Sequence, residues 1–68
     1  MTMKIILNGR REERPGGSSL EDVVRPFEAG GVKFAALVNG QVIPRNMRAA
    51  RPLRDGDHVE LLSLAGGG

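Results

Sequence analysis

The chain ends in Leu64-Ala65-Gly66-Gly67-Gly68, and the carboxylate of Gly68 is the one unusual functional group that its residue types and spacing offer. Three residues without a Cβ make a filament thin enough for a channel that excludes any branched side chain. Fully extended, Ala65 to Gly68 projects roughly 13–14 Å at 3.3–3.6 Å per residue, so the chain end can enter a buried site while the body stays outside. A carboxylate is a poor electrophile. Attack on the α-phosphate of ATP converts it to an acyl adenylate with a good leaving group, and sulfur transfer to that carbonyl gives a thiocarboxylate. The ATP and Mg²⁺ belong to a partner enzyme in this scheme, and no cofactor is expected on the chain itself, because it has no glycine-rich lysine loop for phosphate. Terminal glycines are also what an ordinary frayed end looks like, and the tail alone does not decide between the two.

Other chemistry is thinly represented. The chain has no cysteine, which removes disulfides, thiolate metal sites and a thiol nucleophile. His58 is the sole histidine and has no serine, cysteine or carboxylate at a recognisable catalytic spacing. Asp55 and Asp57 flank Gly56 without the further ligands of a calcium loop, so turn chemistry accounts for them and no metal site is expected. Ten Lys+Arg against eight Asp+Glu leave a net charge of only +2, and two Phe with no Tyr or Trp offer little for bases to stack on, which argues against nucleic acid. The apolar run Met3 to Leu7 is far shorter than the roughly 20 residues of a membrane span or the 7–15 of a signal core. A cytoplasmic carrier without membrane attachment, not an enzyme in its own right, is the expectation.

The elements that must position the tail follow from periodicity. Met3, Ile5 and Leu7 alternate with Lys4 and Ile6 as a strand, and Asn8-Gly9 predicts a type I′ turn returning as a charged edge strand over Arg10 to Arg14. Ser18-Ser19-Leu20-Glu21 reads as a Ser-x-x-Glu capping box. Leu20, Val23, Val24 and Phe27 then fall on one helical stripe, with Pro26 expected to kink the helix or end its regular part near Arg25. Residues 34–38 and Gln41-Val42-Ile43 form a second hairpin around Asn39-Gly40. Arg45 to Pro52 reads as a polar connector whose Arg45, Arg48 and Arg51 face water. After a turn at Asp55-Gly56-Asp57, a last strand runs from His58 to Ala65. The order β-β-α-β-β-β, with the two terminal strands left to pair side by side, predicts an α+β fold of the β-grasp (ubiquitin-like) type: a mixed four- to five-stranded sheet packed on one helix. Residues 1–65 form the domain and 66–68 a flexible tail.

In the last strand Val59 and Leu61 share one face and Glu60, Leu62 and Leu64 the other. With Val59 and Leu61 against the helix, Leu62 and Leu64 point to the open face near the tail, with Ile6 of the neighbouring strand beside them. Such an exposed apolar group is expected to dock a partner.

Four segments carry a resemblance. Met3-Lys4-Ile5-Ile6-Leu7-Asn8-Gly9, Leu37-Val38-Asn39-Gly40-Gln41-Val42-Ile43-Pro44-Arg45, Leu53-Arg54-Asp55-Gly56-Asp57 and the terminal Gly-Gly, in this order and over nearly the whole chain, resemble ThiS, the sulfur carrier of thiamine biosynthesis. The resemblance implies adenylation of Gly68 by a ThiF-type adenylyltransferase. It further implies a thiocarboxylate charged by a sulfur donor system and delivered to thiazole synthase, ThiG. Gly68 then carries the sulfur, and Gly66 and Gly67 allow threading. Related β-grasp carriers, MoaD-like or serving cysteine or tRNA thiolation, share fold and tail, and a plain interaction module is the alternative outside that class. The chain departs from many ThiS sequences at Arg48, where an aromatic is common, and at Pro26, where a helix former is expected.

Overall fold

Alternation at the N-terminus gives β1 (Thr2–Leu7), which buries Met3, Ile5 and Leu7. In the computed structural model, which describes residues 1–64, the chain turns at Asn8-Gly9 and returns antiparallel as β2 (Arg10–Pro15). Asn8 and Gly9 hold φ of 50° and 84°, the left-handed pair that a two-residue hairpin of this twist requires. The register sets Arg14 opposite Met3 and Glu12 opposite Ile5. The core-side rim of this edge strand is therefore an Arg14–Glu12 ion pair at 2.7 Å rather than apolar surface.

Helix α1 (Leu20–Glu28) starts one residue later than the Ser18-x-x-Glu21 box implies. Ser18 turns both its N–H and its hydroxyl to the Pro15 carbonyl, closing a turn, and Ser19 becomes the N-cap. The capping box is Ser19 with Asp22: Ser19 Oγ accepts the Asp22 N–H, and Asp22 Oδ2 accepts the Ser19 N–H at 2.8 Å. Those bonds hold the Asp22 carboxyl below its ordinary value. The remaining donors of the first turn find carbonyls outside the helix, Leu20 N–H on Arg51 and Glu21 N–H on Arg48.

Two expectations for α1 need correction. Pro26 does not end it; the helix runs on to Glu28, and the Ala29 N–H closes on the Pro26 carbonyl. Leu20, Val23 and Val24 are fully buried as the stripe predicts, but Phe27 is 41% exposed. Phe27 lies against Phe34 in an edge-to-face pair at the end of the helix, with ring centroids 6.0 Å apart.

Strands β3 (Phe34–Val38) and β4 (Gln41–Ile43) form the second hairpin, with Asn39 and Gly40 at φ 52° and 83°. A 3₁₀ turn (Arg45–Met47) leads into the connector, where Arg45 is exposed as expected and Arg48 is not. Arg48 is only 3% exposed, and the connector is pinned across the helix start, the Leu53 N–H donating to the Ser18 carbonyl. Strand β5 (His58–Ser63) closes the fold. It lies parallel to β1 and antiparallel to β3 in a five-stranded sheet of order β2-β1-β5-β3-β4, packed by one face on α1. This is the β-grasp arrangement. Among the described residues no helix is long and apolar enough to cross a membrane.

Candidate functional site

Gly66, Gly67 and Gly68 lie outside the described residues, as does Ala65. The site that the structure describes is the strand that leads to them and the side chains around its exit.

β5 is the central strand, and both Asn-Gly turns clamp it. The Asn8 N–H donates to the Val59 carbonyl, and Asn8 Oδ1 accepts the Leu61 N–H at 2.9 Å. β1 pairs with β5 only through Ile6–His58 and Leu7–Val59 before it turns away, so the Asn8 side chain continues the ladder by one more rung. On the other side the Asn39 N–H donates to the His58 carbonyl, and Asn39 Oδ1 accepts the His58 N–H at 3.0 Å. Asp57 fixes the Asn39 amide in turn: its Oδ1 accepts from Asn39 Nδ2 at 3.1 Å and its Oδ2 accepts the Arg54 N–H at 2.8 Å. Asp55 accepts the Lys4 N–H at 2.7 Å. Both aspartates thus spend their oxygens on the turn and its neighbours.

Val59 and Leu61 are buried against the helix, while Leu62 and Leu64 are 52% and 58% exposed. The structure does not bring Ile6 to the two leucines. Ile6 shares their face but pairs with His58, four residues before Leu62 and roughly 13 Å away along the strand. It lines an open groove of about 420 Å³ with Asn8, Gly9, His58, Val59 and Glu60. Leu62 instead sits opposite Ala35, diagonal to Leu37, and Leu37 pairs with Val42, which is 62% exposed. The apolar surface beside the exit is therefore Ala35, Leu37 and Val42 together with Leu62 and Leu64. Sequence reasoning passed over the first three, although the unbroken apolar run Phe34 to Val38 signals a strand apolar on both faces.

An ionic cluster of the buried Arg48, the partly buried Glu28 and the exposed Arg45 stands at the start of β3. Glu28 Oε2 accepts the Phe34 N–H at 3.0 Å and bonds from Arg45 at 3.0 Å and Arg48 at 3.4 Å. Arg48 Nη2 donates to the Phe34 carbonyl at 2.5 Å, while its Nε has no partner. The Phe34 N–H, together with the Arg45 and Arg48 charges, holds the Glu28 carboxyl below its ordinary value against the opposing effect of partial burial. Of the connector arginines, Arg45 pairs with Glu28 and Arg51 lies 4.0 Å from Asp57. No local pattern announces this cluster, because its partners come from three separate segments.

Comparison with known proteins bears on the whole chain. The family model described as the ThiS family matches residues 5–68. Among solved structures, the fold is similar to that of a thiamine biosynthesis protein (ThiS) from Geobacter metallireducens. The two share 28% identity at a TM-score of 0.74, covering 97% of this chain and 100% of the other. No curated protein sequence matches.

Proposed function

The chain belongs to the ThiS family, and from that premise we propose that it carries sulfur for thiamine biosynthesis on Gly68. A ThiF-type adenylyltransferase binds the body, and the Gly68 carboxylate attacks the α-phosphate of ATP, releasing pyrophosphate. Sulfide supplied by the donor system then adds to the acyl carbonyl and displaces AMP, leaving a thiocarboxylate whose sulfur goes to thiazole synthase, ThiG. The ATP and Mg²⁺ are the partner's. Gly66 and Gly67 let the end thread into its active site, and Leu62 and Leu64 meet the partner's surface outside.

The observation that carries this reading is the extent of the family match, which runs through the last residue and so includes the tail. The central position of β5 supports it: β1 flanks the start of the strand and β3 runs beside it to Ser63, so the body can present the end in a defined direction. Deleting Gly67 and Gly68 tests it. Pyrophosphate release by the adenylyltransferase in the presence of the carrier should vanish with the shortened chain, and undiminished release would refute the assignment. Capture of thiazole synthase in preference to a molybdopterin synthase subunit separates this pathway from that of a MoaD-like carrier.

A further inference from the structure

We infer that Arg48 and Glu28 are positioning residues for the tail, acting as a side-chain substitute for strand pairing at the start of β3. The argument begins with the parity of the β3–β5 ladder. Asn39 N–H to His58 O and Leu64 N–H to Lys33 O, at 2.7 and 2.8 Å, mark positions where the two strands face each other with bonded groups. In an antiparallel pair such positions alternate with non-bonded ones, and Phe34 opposite Ser63 is one of the latter. The N–H and C=O of Phe34 therefore point away from β5, toward the side where β4 runs.

β4 does not reach them. It pairs with β3 only from Ala36–Ile43 onward, and Pro44 then turns the chain into the 3₁₀ segment. The two backbone groups are taken instead by side chains: Glu28 Oε2 accepts the N–H and Arg48 Nη2 donates to the C=O. Arg48 and Glu28 also bond each other at 3.4 Å, so the pair grips one residue from both ends. Burial of an arginine to 3%, with its Nε unpartnered, is a costly way to build a surface connector. It is explained by what it holds. Phe34 kept extended leaves the preceding Lys33 carbonyl facing the Leu64 N–H, the last described backbone bond before the tail.

This inference rests on the carrier reading for its purpose, but the mechanical coupling can be measured without a partner. Amide exchange by NMR on the folded chain is compared for wild type, Arg48→Leu, Arg48→Lys and Glu28→Gln. Arg48→Leu should accelerate exchange at Leu64 by about tenfold or more while leaving the β1–β2 ladder unchanged. Arg48→Lys, which keeps a donor for the Phe34 carbonyl, should restore most of the protection. Should Arg48→Leu not fold, Glu28→Gln carries the comparison, with a smaller acceleration confined to Leu64. Equal acceleration at every amide, or none at Leu64, overturns the inference. In turnover with the adenylyltransferase, the same variants should lower kcat and leave KM within about twofold, because the leucine face is intact. A rise in KM alone overturns the positioning role. Selective exchange at Leu64 with no adenylation of wild type would sink the carrier reading and leave the coupling standing.

Discussion

At the residue scale the clearest feature is that side chains finish what strands leave undone. Asn8 adds a rung to β5 after β1 departs, and Glu28 does the same for β3 where β4 stops. Asn8→Gly keeps the positive φ that the turn needs and removes only the acceptor for the Leu61 N–H. It should cost about 1–2 kcal/mol in denaturant unfolding, the penalty of an unmet partly buried donor. Ser19→Ala removes the helix cap and should cost about 1 kcal/mol, read as a fall in Tm of roughly 4–8 °C for a domain of this size. Glu28 and Asp22 both have carboxyls held below their ordinary values of 4.5 and 3.8. A lowered folded value means that the unfolded chain binds the proton more tightly. The stabilisation is complete above the ordinary values and is lost as pH falls through the lowered ones. Urea midpoints measured against pH should therefore decline on the acid side, and Glu28→Gln should flatten part of that decline.

At the scale of elements, much was legible before the structure and the exceptions share a cause. Both Asn-Gly turns, the alternation in β1 and β5 and the stripe Leu20, Val23 and Val24 are local patterns, and each holds. Phe27 breaks the stripe because burial depends on what the sheet places beneath it. The N-cap moved from Ser18 to Ser19 because Pro15 competes for Ser18. Arg48 was unreadable for the same reason at longer range: its partners, Glu28 and Phe34, lie 20 and 14 residues away. Strand parity puts Ile6 on the face of the leucines, and the parallel register separates it from them along the strand. The surface that remains, Leu62 and Leu64 with Ala35, Leu37 and Val42, yields an element-scale prediction. Leu62→Asp should leave the unfolding transition almost unmoved, since the side chain is half exposed. It should weaken binding to the adenylyltransferase about tenfold or more, as truncation at an interface anchor does. Unchanged affinity in titration calorimetry would remove the leucine face from the docking surface.

For the molecule as a whole, the proposed function makes the body a mount and gives the chemistry to one end. Among the described residues its core is small: eleven buried apolar residues gathered between one helix and one sheet face. The strand that leads to the tail occupies the middle of the sheet, beside β1 at its start and beside β3 along its length. The family match runs over residues 5–68 and so takes in the terminal glycines, which supports the role proposed for them where composition alone does not. The claim on which everything turns is that Gly68 becomes a thiocarboxylate. Intact-mass measurement after incubation with ATP, a ThiF-type adenylyltransferase and a sulfur donor addresses it directly. The account predicts a gain of about 16 Da, one oxygen replaced by sulfur, confined to the C-terminal fragment. An unmodified Gly68 under conditions that charge a known carrier would contradict it.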